Sequence, residues 1–178
     1  MITINKKNKK LLTSVFITLA LITSLTTVAQ KNDIVDVAAG SAVHTTLVAA
    51  VKAAGLVETL KSAGPFTVFA PVNDAFSKLP AGTVGSLLKT ENKDLLAKIL
   101  TYHVVAGNLD AATIVNAIKN GKGKATLTTV SGGTLTATIE KDKVKLTDEK
   151  GGTAFVIITD LKASNGVIHV IDSVVLPK

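Results

Sequence analysis

The chain has 178 residues, a formal net charge of +7 and twenty basic residues, all of which are lysine. Nucleic-acid recognition relies on the arginine fork for phosphate and guanine and on aromatic side chains for stacking, and aromatic residues make up only 3% of this sequence. The composition therefore argues against nucleic-acid binding, and the absence of cysteine excludes disulfides, thiol nucleophiles and cysteine metal sites.

The first 29 residues have the pattern of a secretory signal peptide. Lysines precede a fifteen-residue stretch, Leu11–Leu25, that is apolar apart from threonine and serine, and Ala29 provides a small residue for cleavage. An uncleaved membrane anchor is the alternative, although a spanning helix needs roughly 20 apolar residues. Cleavage before Gln30 removes four lysines and no acidic residue, which lowers the net charge from +7 to +3. The sequence thus predicts a secreted, extracellular or periplasmic protein with no membrane span after cleavage.

Residues 30–178 predict one domain, which at this length buries roughly 70% of its unfolded surface without disulfides or metals. Residues 43–51 repeat valine and leucine at helical spacing, and Gly55 is placed to end that helix. Leu56–Lys61 predicts a second short helix.

The segment Gly64–Phe76 is the most informative motif of the chain. Gly-Pro predicts a turn, Phe66–Ala70 alternates like a half-buried strand, Pro71 stops it, and Asn73 or Asp74 is expected to cap a short helix. Three of the five phenylalanines fall in this unit. The motif supplies these structural candidates: Gly64, Phe66, Phe69, Pro71, Asn73, Asp74 and Phe76.

Two further helices are predicted before the strand-rich half. Residues 91–100 form an amphipathic pattern with Leu95, Leu96, Ile99 and Leu100 on one stripe, and the pair Tyr102-His103 follows it. Asp110 is expected to cap another helix that ends near Asn120-Gly121.

From Lys124 the hydrophobic period changes from about 3.6 to 2. Threonines alternate with leucine, alanine and isoleucine across a Ser131-Gly132-Gly133 turn, which predicts a hairpin. A strand follows at 143–146, a more buried apolar strand at 155–159 and the last strand at 167–175. Asn165-Gly166 predicts a tight turn in which Gly166 supplies a positive φ and the Asn165 amide ties neighbouring loops. Helices followed by strands in one unit predict an α+β fold.

Three motifs in this order resemble the signatures of the fasciclin (FAS1) domain family: Gly64–Phe76, Tyr102-His103 and the segment Ser164–Asp172 with Asn165, Gly166 and His169. The resemblance covers residues 33–177 and implies a wedge-shaped β-sandwich flanked by several short α-helices. It also implies adhesion, since the Tyr-His motif of animal relatives is tied to receptor-dependent adhesion. Both residues have a structural alternative, in which they pin a helix to the sheet.

Asp160-Leu161 occupies the place where some animal family members carry an Asp-Ile pair implicated in integrin recognition. The flanking residues Ile158-Thr159 and Lys162-Ala163 depart from the animal pattern, which weakens an integrin interpretation. An exposed acid beside an exposed aliphatic side chain is the contact hypothesis, and an ordinary solvated loop is the alternative.

The sequence contains no nucleophile elbow, phosphate-binding glycine loop or zinc-protease motif, and His44, His103 and His169 lack ligand-like spacing. We therefore expect no catalytic residues, no cofactor and no metal. The sequence favours a non-catalytic adhesion or extracellular-matrix module, monomeric or weakly oligomeric, whose partner is a cell-surface or matrix protein or a polysaccharide. A small-molecule or lipid carrier with a cleft between helices and sheet is the alternative.

The hairpin threonines admit a further hypothesis, a flat hydroxyl-rich face for ice or carbohydrate, although β-propensity alone accounts for them. Lys141, Lys143 and Lys145 are interpreted first as protection of a sheet edge and second as a patch for acidic polysaccharide.

Overall fold

A computed structural model describes residues 32–178. The signal peptide predicted for residues 1–29 lies outside the described residues. Within them no helix is both long enough and apolar enough to cross a membrane. The helices are α1 (Ile34–Ala39), α2 (Thr45–Ala54), α3 (Val57–Lys61), α4 (Asn73–Ser77), α5 (Thr83–Leu87), α6 (Lys93–Tyr102) and α7 (Ala111–Asn120). The strands are β1 (Phe66–Pro71), β2 (Val104–Ala106), β3 (Lys124–Thr128), β4 (Thr134–Glu140), β5 (Lys143–Thr147), β6 (Thr153–Ala163) and β7 (Gly166–Ile171).

The strands follow one another in the order β2-β1-β7-β6-β5-β4-β3. Only β1 and β7 pair in parallel, and the other pairs are antiparallel. Strand β6 has eleven residues and runs through both halves of the sheet, with register shifts near Ile158 where it bends. A bridge between Val105 and Thr129 joins the two ends of the sheet. The predicted α+β fold, a wedge-shaped sandwich with short flanking helices, is confirmed.

Strand β1 is buried on both faces. Val68 and Ala70 pack against the cluster beneath α1, α2, α3 and α6, whereas Phe69 belongs to the sandwich interior beneath α7. Thr67 is fully buried. The prediction of a half-buried strand is therefore wrong, because the helical layer covers the face that was expected to meet water. Phe66 and Phe76 are half-buried against the helical layer, so the three phenylalanines of the first motif divide between two cores.

Several local predictions are confirmed. Gly55 ends α2 with a left-handed φ of 71°, and the Asp110 carboxylate caps α7 by accepting from the backbone N–H of Thr113. Strands β3 and β4 form the predicted hairpin with Thr126 opposite Thr136. These signals depend on adjacent residues only, which explains why sequence alone predicts them.

The expected cap of α4 is wrong. The helix follows Val72 with no side-chain cap, and Asp74 is exposed. Asn73 instead points toward the start of α2, where its Oδ1 accepts from the N–H of Thr46 at 3.0 Å and its Nδ2 donates to the carbonyl of Ala42 at 3.1 Å. A long-range contact has replaced the local one.

Three apolar assignments are also corrected. Leu95 is 49% exposed, outside the buried stripe of α6. Ile157 and Ile158 are exposed by 44% and 48%, because the register shifts of β6 interrupt the alternation that would bury one of them. Lys143 and Lys145 do not protect a sheet edge, since β5 pairs with β4 on one side and β6 on the other.

Gly166 does not have the positive φ that the turn prediction required. Its role is close approach, because a Cβ at this position would overlap the carbonyl oxygen of Phe66 on the paired strand β1. Gly64 has the same role, since a Cβ there would overlap the carbonyl oxygen of Asn165. Two glycines thus let the starts of β1 and β7 lie against each other.

Replacing Gly166 by alanine tests this contact. We expect Gly166→Ala to lower the free energy of unfolding by about 2–3 kcal/mol, because the backbone of β1 must shift to admit the methyl group. Gly85→Ala is the matched control, since nothing lies within 4 Å of its added Cβ and it lies within α5. The control should be neutral or up to about 1 kcal/mol more stable. Equal urea midpoints for the two variants would contradict the close approach.

Candidate functional site

A groove of about 990 Å³ opens where the Gly64–Phe76 motif and the Ser164–Asp172 motif meet. Its lining comes from the turn before β1, the start of α7 and the bend between β6 and β7. The polar side chains in it are Asn108, Asp110, Asp160, Lys162, Ser164 and Asn165. This volume lies at the upper end of the range of about 300–1,000 Å³ for small-ligand pockets, so the groove is large enough for a partner's side chain or a sugar unit.

Asp160 lies in the irregular part of β6, between the register shift and the pair Leu161↔Ile168. Its φ of 59° is left-handed, a conformation that aspartate tolerates better than most residues. The carboxylate accepts from the N–H of Ala111 at 2.9 Å, the first residue of α7. Asp160 and Leu161 are both half-buried, so this acid and aliphatic pair is less exposed than the contact hypothesis assumes.

His169 supports Asp160 from beneath. The imidazole is fully buried, and its Nε2 donates to the carbonyl of Leu109 at 2.7 Å. A carbonyl oxygen can only accept, so Nε2 carries the ring proton. A backbone N–H can only donate, so Nδ1 carries no proton and accepts from the N–H of Asp160 at 3.4 Å. The ring also stacks on Phe69, with ring centroids 5.7 Å apart. One neutral side chain therefore connects β7, the bend of β6 and the segment before α7.

Two carboxylates and one ammonium group determine the charge of the groove. The hydrogen bonds from Thr113 hold the pKa of Asp110 below its ordinary value, and the positive charge of Lys162 acts in the same direction. The N-terminal end of α7 also favours negative charge. Asp110 and Asp160 are therefore held in place by α7, while Lys162 is exposed.

Asn165 fixes the floor of the groove. Its Oδ1 accepts from the N–H of Ile34 at 3.0 Å, and its Nδ2 donates to the carbonyls of Leu60 at 2.7 Å and Ser62 at 3.0 Å. The side chain thus ties α1 and the end of α3 to the turn before β7. The groove is consequently built on packed elements and not on a long loop.

Tyr102 and His103 lie elsewhere and are buried, with exposed fractions of 0% and 2%. The Tyr102 hydroxyl donates to the carbonyl of Thr134 at 2.6 Å and accepts from the N–H of Glu149 at 3.2 Å. His103 Nδ1 donates to the carbonyl of Ile99 at 2.8 Å, and its Nε2 accepts from the N–H of Val175 at 3.3 Å. In this conformation neither side chain is available to a partner.

The segment after β7 crosses this region as a strap, defined here as residues 173–178. Val175 is fully buried, and the N–H of Leu176 donates to the Asp148 carboxylate at 2.9 Å. The N–H of Lys178 donates to Glu149 at 3.3 Å. His103, Asp148 and Glu149 together hold the strap against the sandwich, and Tyr102 bonds the backbone of Glu149.

A second, internal cavity lies between the helices and β1. It measures about 40 Å³ and is lined almost wholly by apolar residues, with His103 at one side. A single water needs about 10–15 Å³ of such volume, so this cavity has room for a few water molecules at most and not for a lipid. The carrier hypothesis therefore requires a more open conformation than this one.

The three histidines lie apart, and each contacts a different neighbour: His44 bonds Ser41 through Nδ1, His103 bonds Ile99, and His169 bonds Leu109. Within residues 32–178 no group of three or more histidine, aspartate and glutamate side chains is arranged to hold a metal ion.

Sequence reasoning missed Thr67 and Asp148. The Thr67 hydroxyl donates to the carbonyl of Gly107 at 2.7 Å and accepts from the N–H of Leu109 at 2.8 Å. Asp148 is buried and accepts from the N–H groups of Lys150 and Gly152 as well as from the strap. The sequence Asp148-Glu-Lys-Gly-Gly signals a turn, but nothing local to Thr67 points to its long-range contacts.

Comparison with known proteins agrees with this architecture. The sequence model of the fasciclin domain matches residues 42–177. Protein sll1483 of Synechocystis sp. is 56% identical over 144 residues, which are 81% of this chain and 73% of that protein. Cell surface glycolipoprotein MPB83 of Mycobacterium bovis is 37% identical over 122 residues, 68% of this chain and 48% of that protein.

Among solved structures, a FAS1 domain pair from the insect cell adhesion molecule Fasciclin I superposes with a TM-score of 0.58 at 22% identity. The match covers 71% of this chain and 42% of that one. At this identity the likeness concerns the fold.

Burial should make the stability of the protein depend on pH. Desolvation lowers the pKa of His103 from 6.5 to about 4. Between these two pH values His103 is therefore protonated in the unfolded chain and neutral in the folded protein. The contribution of His103 to the free energy of unfolding is fully present above pH 6.5 and is lost as the pH drops toward 4. At about 1.4 kcal/mol per pKa unit, the loss is about 3 kcal/mol. His44, whose pKa burial also lowers, contributes in the same direction.

The measurement is the free energy of unfolding in urea between pH 7 and pH 4, with an NMR titration of the imidazoles. We expect the His103 ring to remain neutral to about pH 4 while the protein is folded. A His103 ring that titrates near pH 6.5 in the folded protein would contradict its burial and the hydrogen bond to Val175.

Proposed function

The chain belongs to the fasciclin domain family, and on that premise we propose that it is an exported, non-catalytic adhesion module. It binds a cell-surface or extracellular-matrix partner, a protein or a polysaccharide. Export follows from the leader pattern of residues 1–29 and is consistent with a relative named as a cell surface glycolipoprotein. Adhesion is supported by the name of the structural neighbour, an insect cell adhesion molecule.

The observation that carries the proposal is the groove beside Asp160. It contains fixed carboxylates, a free lysine and backbone turns, all held by α7, β7 and Asn165. Rigid polar groups lose little conformational entropy when a partner binds, because their side chains are already ordered. The groove therefore suits recognition, and Asp160 with Leu161 remains the proposed contact.

Tyr102 and His103 take a supporting role in this proposal. His103 holds the strap, and Tyr102 ties the end of α6 to the start of β4. Their replacement should lower stability and binding together, because a partner would meet a partly unfolded surface. The sequence hypothesis of direct contact through these residues is the less favoured one, given their burial.

A single domain provides a contact of about 800 Å² per partner at most. We therefore propose that the protein is a monomer or weak oligomer that adheres firmly only when many copies are displayed together, as avidity requires. The carrier alternative is disfavoured by the internal cavity of about 40 Å³.

Attachment of cells of the source organism to the immobilised protein tests the proposal. The groove variant combines Asp160→Asn with Lys162→Gln, because asparagine keeps the oxygen that accepts from Ala111 and tolerates a left-handed φ. The control variant combines Asp74→Asn with Lys89→Gln, two exposed residues of the helical side that make the same change of charge. We expect the groove variant to weaken saturable attachment about tenfold, the loss of one or two contacts worth about 1 kcal/mol each.

Unchanged melting temperatures for both variants are required, and the control should attach like the wild type. Equal attachment of all three proteins would move the site away from the groove. No saturable attachment of the wild-type protein to cells, matrix proteins or polysaccharide would overturn the adhesion proposal.

A further inference from the structure

The outer face of β3–β6 carries an ordered array of threonines. Thr126 lies opposite Thr136, Thr136 opposite Thr147, and Thr147 opposite Thr153, so one row crosses four strands. At about 4.8 Å between strands this row is roughly 14 Å long. Within residues 32–178 the four hydroxyls have no hydrogen-bond partner, so the row is free to bind.

Lysines concentrate at one end of the same face. Residues 119–145 contain six lysines and two acids, a net charge of +4, while the rest of residues 30–178 contains ten lysines and eleven acids, a net charge of −1. Glu140 neutralises Lys145. In the described part of the chain, by contrast, no carboxylate pairs with Lys122, Lys124, Lys141 or Lys143.

These lysines flank the hydroxyl array. Lys124 opens β3 and lies opposite Thr138, and Lys143 opens β5 and lies opposite Glu140. The half-buried Phe155 lies opposite Lys145 on the same outer face. Strand β5 is internal to the sheet, so edge protection does not explain its lysines.

We propose that this threonine–lysine face, defined as the outward residues of β3, β4 and β5 and of residues 153–155 in β6 with Lys122 and Lys141, binds an acidic polysaccharide. The inference rests on the proposed function and names the partner class of one surface. Hydroxyl rows exchange hydrogen bonds with sugar hydroxyls, and the stiff χ1 of threonine keeps them ordered before binding. Lysine ammonium groups attract carboxylates or sulfates along the polymer without the geometric demand of an arginine fork.

The face shares no residue with the groove beside Asp160. A protein with two separate binding surfaces can hold an acidic polymer at one and a cell-surface partner at the other. A flat, open face also suits a long chain better than a short ligand, since contacts repeat from strand to strand.

The test measures binding of the purified protein to alginate and to chondroitin sulfate, with neutral dextran as the comparison polymer. The charge variant combines Lys124→Gln with Lys143→Gln, and the hydroxyl variant combines Thr126→Val with Thr147→Val, which keeps shape and strand preference. The control, Lys52→Gln with Lys89→Gln, removes the same charge from exposed positions of the helical side.

We expect both acidic polymers to bind the wild type, dextran to bind at least about tenfold more weakly, and affinity to fall with salt. The charge and hydroxyl variants should each lose about tenfold in affinity, the control should bind unchanged, and all variants should melt alike. No binding of either acidic polymer, or equal binding by all variants, would overturn the inference.

Vesicles containing phosphatidylserine provide a further arm. Binding to them that needs the lysines but not the threonine hydroxyls, and that exceeds polysaccharide binding, would assign the face to a membrane surface and overturn the proposal. The groove variant separates the two proposals, because it should lose cell attachment and keep alginate binding. A wild-type protein that binds alginate but to which no cell attaches would leave this inference standing and overturn the groove as an adhesion site.

Discussion

The structure depends on the burial of the parallel pair β1–β7 on both faces, which obliges each polar side chain of the pair to find its partner inside the protein. Thr67 does so with the segment after β2, and His169 does so with Leu109 and Asp160. An unpaired buried polar group costs about 1–3 kcal/mol. These hydrogen bonds therefore determine where the segment before α7 and the bend of β6 lie. The groove is the direct consequence.

The same constraint separates residues that support the fold from residues that can bind. Tyr102 and His103 satisfy their polar atoms on Thr134, Ile99 and Val175, and nothing of them reaches the surface. Polar residues at the groove and on the threonine–lysine face are held by packed strands and α7, yet these residues stay partly or fully exposed. The proposed binding needs no moving part, since rigid surfaces lose little entropy when a partner binds.

Local patterns predicted much of the fold. The helix stop at Gly55, the Asp110 cap and the β3–β4 hairpin depend on adjacent residues, and they are present. Errors occurred where a distant element intervened: Asn73 bonds the start of α2, and β6 shifts register and exposes Ile157. The groove was beyond sequence reasoning apart from Asp160, because its lining comes from three separate segments. The lysines of β5 were misassigned to an edge because strand order is not visible in a hydrophobic pattern.

We infer that this protein binds through its outer surfaces while its interior remains closed. NMR tests this inference by following the backbone amide signals of the isotope-labelled protein during titration with polysaccharide and protein extracted from the source cell surface. We expect shifts confined to the groove around Asp160 and to the threonine–lysine face. Shifts centred on the small apolar cavity beneath α1 and α2, with the outer surfaces unchanged, would contradict it and favour a carrier.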